Sequence, residues 1–199
     1  PLGLVGVITA FNFPCAVFFW NFCISMVCGN CTVWKGASST SLITIAVTKL
    51  VHEVLASNKV EPGVLVTVVG PGRSVGNLFL DDPRLKLISF TGSTPIGRTV
   101  SEKVHKRFGR TILELGGNNS VLVMEDADVS LAMKAVVFGS IGTSGQRCTS
   151  TRRVFIHESL YDNFKKKMIE IYKNVKIGDP LNTNYIMGPV HTKGAIKEL

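Results

Sequence analysis

No apolar run in these 199 residues is both long and unbroken. The longest, Cys15 to Cys28, is interrupted by Asn21 and Ser25. That is too short and too mixed for a bilayer span, and no basic segment precedes it as in a secretory signal. It predicts a buried amphipathic helix of a soluble protein with no membrane partner. Aromatic residues make up only 8% and are not interleaved with the basic ones. The net charge of +8 is spread over Lys103, Lys106, Arg107, Arg110, Lys165, Lys166, Lys167 and others. A nucleic-acid groove needs stacking aromatics among its cations, so a solvated surface with some pull on anions is expected instead. Cysteine is sparse and odd in number, at 5. This excludes a disulfide scaffold and predicts a reducing compartment, cytoplasm or mitochondrial matrix. Cys28-Gly29-Asn30-Cys31 has no second C-x-x-C and no His pair beside it, so no metal site is expected. It reads either as a redox pair or as a helix end turning into a strand.

Proline, at 8, is too scarce for a disordered or collagen-like chain. What is abundant is apolar: 45% hydrophobic residues against 18% charged, with mean hydropathy +0.27. Those values suit strands buried on both faces of a parallel sheet. A chain that opens on Pro1 and closes within the helix-like phrase Lys193–Leu199 reads as a piece of a longer protein.

Short β-rich runs occur at Leu4–Ala10, Thr32–Trp34, Val64–Val69, Leu85–Phe90, Thr111–Leu115, Val121–Met124 and Val154–Ile156. Helix-like stretches lie between them, near 14–28, 38–55, 95–108, 129–138 and 160–175. Pro14 suits a first helical turn, and Ser38 to Ser41 offer N-cap hydroxyls. Strands alternating with helices of this length predict βαβ units and a mostly parallel, Rossmann-like sheet with helices on both faces. Right-handed crossovers then place the loops after the strands on one edge, where ligands bind. Phe11-Asn12, Lys35-Gly36, Gly70-Pro71-Gly72 and Gly92-Ser93 should meet there. The alternation breaks near Gly116-Gly117, which predicts a domain boundary near Leu115.

Two glycine turns follow strands. Gly70-Pro71-Gly72-Arg73-Ser74-Val75-Gly76 departs from the G-x-G-x-x-G fingerprint and lacks a Walker lysine, so it reads as a phosphate cradle or as a plain turn. Gly92-Ser93-Thr94-Pro95 opens a helix whose N-terminus can hold an anion. Lys35 is a lone cation at a strand end. Glu114 is a carboxylate within an apolar strand, which predicts a buried ion pair or a general base with raised pKa. Asn12 is a neutral donor of the kind that stabilises an oxyanion. Cys148 lies among small residues in Ser144-Gly145-Gln146-Arg147-Cys148-Thr149, between a helix-like and a strand-like run. Tyr161-Asp162-Asn163-Phe164-Lys165 has the Y-x-x-x-K spacing of an alcohol-deprotonating pair, but an amphipathic surface helix accounts for it.

Phe11-Asn12-Phe13-Pro14, Trp34-Lys35, Phe90-Thr91-Gly92-Ser93, Leu113-Glu114-Leu115-Gly116-Gly117 and Gly145-Gln146-Arg147-Cys148 occur in this order. Together they resemble the signature set of the NAD(P)-dependent aldehyde dehydrogenases. Within that family, Thr9–Pro14, Gly116–Asn119 and Gly145–Thr149 are most similar to a branch acting on an acidic semialdehyde. The resemblance implies an aldehyde dehydrogenase fold, with residues 1–115 in the NAD-binding domain and 116–199 opening the α/β catalytic domain. It implies Cys148 as nucleophile, Glu114 as the base that activates water, and Asn12 as oxyanion donor. Thr9, Ala10, Phe11, Lys35, Gly76, Gly92, Ser93 and Leu115 would lie along NAD. Arg147 would meet the acidic substrate tail, a guanidinium being suited to a carboxylate, and Thr149 would border the substrate. Ser38 stands where many relatives place a Glu that bonds the adenosine ribose. The family forms homo-oligomers, so a tetramer is implied. An inactive fragment or NAD-binding module without turnover, and a thiol–disulfide protein using Cys28 and Cys31, are the competing expectations.

Overall fold

The protein is described by a computed structural model covering residues 1–198. Two compact units follow one another, Pro1–Leu115 and Gly116–Leu199.

The first unit is a five-stranded parallel sheet. Its strands are β1 (Leu4–Ile8), β2 (Cys31–Lys35), β3 (Leu65–Thr67), β4 (Leu85–Gly92) and β5 (Arg110–Leu115). Their order across the sheet is β3-β2-β1-β4-β5. Alternate residues of a strand point to opposite faces, and the core splits accordingly. Val5 and Val7 of β1 and Trp34 of β2 belong to one cluster, with Phe18 and Phe22 of α1 (Ala16–Val27) and Val47, Val51 and Leu55 of α2 (Ser41–Ser57). Leu4 and Ile8 of β1 and Val33 of β2 pack with the other cluster, around Ile88, Phe79 of α3 (Asn77–Asp81), and Val100 and Val104 of α4 (Thr94–Lys106). Helices therefore cover both faces, as parallel strands without polar alternation require. Phe18 and Trp34, each 0% exposed, stack with ring centroids 3.8 Å apart. Burying one such side chain is worth about 1.5–3 kcal/mol.

The apolar stretch 15–28 is not the buried helix its composition predicts. Val17, Phe18, Phe22 and Ser25 are buried, but Trp20 is 66% exposed and Val27 87%. A sheet covers only one face of a helix, and α1 is apolar all round. Its other side joins α2 to line an apolar groove of about 370 Å³ between Phe22, Cys23, Met26, Leu50 and Val54. Ser38–Ser57, at 20 residues and mean hydropathy 1.2, is long and apolar enough by composition to cross a membrane. Its contacts place it on the sheet: Thr48 Oγ1 meets Thr67 Oγ1 at 2.7 Å and His52 Nε2 lies 2.9 Å from the Leu65 carbonyl. Thr40, the N-cap of α2, makes no capping bond with its side chain. Ser38 bonds the Gly70 carbonyl, Thr40 that of Ala37 and Ser41 that of Ser38. Cys28 to Cys31 is a helix end: Gly29, at φ +71, and Asn30 donate back to Met26 and Ser25 carbonyls, and the chain enters β2.

The second unit pairs β6 (Asn119–Val123) with β7 (Thr151–Ile156) in parallel. Helices α5 (Val129–Ile141) and α6 (Glu158–Lys173) pack on this pair through Met133, Val136 and the fully buried Phe164. Asp128 caps α5 by accepting from the Ser130 and Leu131 amides at 2.9 and 3.0 Å. The Y-x-x-x-K spacing lies on α6, where Lys165 Nζ sits 5.5 Å from the Tyr161 ring centre on the surface. Of the closing phrase Lys193–Leu199, Ala195–Glu198 form a short 3-10 turn and Leu199 lies outside the described residues.

Candidate active site

In the first unit the strand order decides which residues meet. The chain crosses from β1 to β2 on one side and from β3 back to β4 on the other. The carboxyl ends of β1 and β4 therefore flank the crevice in which open α/β sheets bind ligands. Thr9, Ala10, Phe11 and Asn12 follow β1, Lys35 ends β2, Gly92 and Ser93 close β4, and Glu114 and Leu115 end β5. Register puts Ile8 beside both Lys35 and Phe90, and Gly92 beside Leu115. The predicted set thus shares one sheet edge. Thr9 is 3% exposed; its amide donates to the Lys35 carbonyl at 3.1 Å, and its hydroxyl accepts from Trp34 Nε1 at 3.0 Å. Asn12 Oδ1 accepts from the Phe13 amide at 3.1 Å.

Lys35 is the least expected group here. It is 4% exposed, yet its ammonium, with three donors to place, bonds the Gly36 carbonyl at 3.2 Å. No carboxylate pairs with it among the described residues. Burial lowers its pKa from the ordinary 10.5. A buried cation so placed fits hydroxyl or phosphate acceptors arriving from outside. Ser93 is the N-cap of α4, with Pro95 in the first turn, and its side chain makes no capping bond. The helix therefore presents amides and positive potential toward the edge, suited to phosphate oxygens. These groups fit a dinucleotide. Gly76 is buried and ends a π-helical turn, Gly72–Gly76, that leads into α3. That turn stands where the glycine motif left a phosphate cradle and a plain turn equally open.

Glu114 departs from expectation. β5 is an edge strand whose Arg110, Ile112 and Glu114 face solvent. A run that is apolar in sequence is buried only where a second strand and a helix cover it. Glu114 therefore needs no buried cation, and it forms no ion pair among the described residues.

In the second unit Cys148 is exposed at the corner of a turn. The Ser150 amide donates to the Arg147 carbonyl at 3.2 Å, and the Arg147 amide to Ser150 Oγ at 3.1 Å. Upstream, Thr143, Ser144 and Gly145 have φ of +54, +55 and +70. Left-handed conformations at two residues bearing Cβ atoms cost of order 1 kcal/mol each and persist only where neighbours enforce them. The neighbours are identifiable. Ser144 Oγ donates to the Gly188 carbonyl at 2.7 Å, and Gln146 Oε1 accepts from the His191 amide at 2.7 Å. Arg147, half-buried, donates from Nε to Thr143 Oγ1 at 2.8 Å and lies 5.0 Å from the Phe138 ring centre. Thr149 is exposed beside Cys148. Reading the sequence missed Ser144, Gln146, Ser150 and the 188–191 segment as supports of this turn. The adjacent Thr-Ser-Gly and the paired Asn118-Asn119 were the available signals.

A nucleotide-type sheet edge and a supported cysteine turn define the class: the family model for aldehyde dehydrogenases matches residues 1–199, and the chain belongs to the aldehyde dehydrogenase family. It is 58% identical over 198 residues to the aldehyde dehydrogenase family 7 member A1 homolog of Dictyostelium discoideum, covering 100% of this chain and 39% of that protein. It is 48% identical over 196 residues to the α-aminoadipic semialdehyde dehydrogenase of Bos taurus, covering 98% and 36%. The chain thus spans well under half the length of these curated relatives. Among solved structures it matches betaine aldehyde dehydrogenase of Staphylococcus aureus in complex with NAD+, at TM-score 0.93 and 29% identity over 100% of this chain and 38% of that one. It also matches the glyceraldehyde-3-phosphate dehydrogenase of Methanocaldococcus jannaschii complexed with NADP, at TM-score 0.92 and 33% identity over 96% and 41%.

Proposed function

We propose that the protein containing this chain oxidises an aldehyde to its carboxylic acid with NAD, residues 1–115 binding the cofactor and 116–199 supplying the nucleophile. The observation that carries the reading is the solvent-exposed Cys148 on a turn closed twice between Arg147 and Ser150. A rigidly presented thiol at an element junction suits covalent catalysis. The Cys148 thiol loses its proton to solvent, and the thiolate attacks the aldehyde carbon. The Asn12 side-chain amide and the Cys148 backbone N–H donate to the oxyanion of the resulting thiohemiacetal. Bound NAD would supply the acceptor for the hydride that leaves this carbon. A thioester on Cys148 remains, and Glu114 takes a proton from the water that cleaves it, releasing the acid and the thiol. Lys35 and Ser93 would hold the ribose and phosphates, with Thr9, Ala10, Phe11, Gly76, Gly92 and Leu115 along the cofactor.

The relatives named for α-aminoadipic semialdehyde support an acidic semialdehyde as substrate. Arg147 would pair with its charged tail, beside Thr149. In the full-length native protein, Cys148→Ala should abolish NADH formation from this aldehyde and leave NAD binding by calorimetry intact. Turnover surviving in that variant would overturn the assignment. Binding of NAD with no NADH formed by the unmodified protein would favour the module without turnover instead.

A further inference from the structure

Asn119 bonds the backbone of Cys148, and no role has yet been given to it. It opens β6, and the ladder with β7 slips just after it: Asn119 pairs with Thr151, but Ser120 with Arg153. The extra residue, Arg152, lies on β7, and such a bulge is common beside active sites. The amide nitrogen of Asn119 donates to the Cys148 carbonyl at 2.6 Å and to the Ser150 carbonyl at 3.1 Å. Both partners are carbonyl oxygens, so only the amide nitrogen, with its two hydrogens, can face them. Gly117 leaves room for this arrangement, since a Cβ there would lie 2.9 Å from Asn119 Oδ1.

The peptide unit is planar. Holding the Cys148 carbonyl therefore fixes the plane of the Cys148–Thr149 peptide, and with it the backbone torsion that aims the Cys148 side chain. The other side of Cys148 is fixed by Arg147, whose amide and carbonyl both engage Ser150. Ser150 is 1% exposed and anchors that side. Asn119 closes the remaining side from a strand rather than from a loop.

We propose that Asn119 is the positioning residue of the Cys148 nucleophile, acting through the Cys148 and Ser150 carbonyls and touching neither substrate nor cofactor. This rests on the reading of Cys148 as nucleophile. It separates the chemical step from binding. A misplaced reacting atom costs up to about 100-fold in rate, whereas contacts that bind ligand are untouched.

The test uses the full-length native protein. Asn119→Asp keeps the side chain's shape but turns acceptors toward two carbonyls, and Asn119→Ala removes the grip outright. Four quantities are measured: kcat, KM for NAD and aldehyde, the rate of iodoacetamide alkylation at Cys148 by peptide mass, and thermal stability. The expected result is a kcat lowered by about 10- to 100-fold with KM values within about 2-fold of the parent. Alkylation at Cys148 should change several-fold while that at the exposed Cys28 does not. Unchanged kcat and alkylation in both variants would overturn the proposal. So would parallel changes at Cys28 and Cys148 with a lowered melting temperature, which mark general loosening. Cys148→Ala keeps the two ideas apart. If it still turns over, the nucleophile reading falls. If it is dead while Asn119→Asp and Asn119→Ala run at the parent rate, only the positioning role falls.

Discussion

Replacing Lys35 by methionine keeps most of the side chain's length and volume and removes its charge. The ammonium is buried, 4% exposed, and bonds the Gly36 carbonyl at 3.2 Å, so its charge is poorly compensated until a ligand arrives. Burial lowers its pKa from 10.5. Between that lowered value and 10.5 the unfolded chain binds more protons than the folded one, so stability rises with pH across this window. Below the window the charge opposes folding. Leaving a buried polar group short of partners costs about 1–3 kcal/mol, and Lys35→Met should return about 1 kcal/mol of that to the cofactor-free protein. The melting temperature should rise by about 2–4 °C, and the gain in stability across the alkaline window should disappear. The cofactor-bound form changes the other way. Bonds from a charged donor are worth about 1.5–3 kcal/mol, so NAD binding should weaken by about 10- to 100-fold. Thermal unfolding with and without NAD, alongside calorimetry, reads both signs on one variant. A lowered melting temperature together with unchanged NAD affinity would refute the reasoning, because Lys35 would then be a structural cation.

Gly36→Ala should destabilise the first unit by about 1–3 kcal/mol in urea unfolding. The new Cβ would overlap Thr44 Oγ1 and lie 3.2 Å from Thr44 Cβ, and Thr44 is 1% exposed and cannot retreat. Asp82 has its pKa held down to about 2 by the hydrogen bond from Arg84, with Arg84 Nη2 and Asp82 Oδ2 2.6 Å apart. A lowered carboxylate pKa contributes stability above its unfolded value, lost as pH falls through the folded one. Asp82→Asn should therefore cost a small, salt-sensitive increment above pH 3.8 that is lost as pH falls through about 2. An increment that stays undiminished below pH 2 would contradict this. Glu114→Gln should form NADH in a single burst and accumulate an acyl-enzyme visible by mass; steady turnover at the parent rate would remove Glu114 as the base.

Much of the first unit was legible because its signals are local. Val5, Val7, Trp34 and Leu65 lie in short β-rich runs without charge, and the glycine, proline and serine residues between runs mark where strands stop. The exposure of α1 and of Glu114 was not legible. Both depend on what covers a surface, and apolar composition does not record that. Trp20 and Phe18 are equally apolar neighbours, yet one is 66% exposed and the other 0%. The capping role expected of Thr40 failed for a similar reason. A hydroxyl can donate to a carbonyl as readily as accept from an amide, and the 3-10 turn Ser38–Thr40 brought carbonyls within reach.

The sequence alone determined the parallel α/β character, the alternation of strands and helices, the strand ends and turns carrying Asn12, Lys35, Gly92 and Cys148, and the resemblance that assigned them roles. These follow from periodicity, turn chemistry and motif order, which reside in neighbouring residues. Tertiary structure alone decided the strand order β3-β2-β1-β4-β5, which gathers loops more than 80 residues apart on one edge. It also decided that Lys35 is buried without a carboxylate, that Thr143 and Ser144 are held left-handed, and that Asn119 grips the carbonyl of Cys148 from 29 residues away. Contacts between residues so far apart in the chain arise only once the sheets have closed, so no local pattern announces them.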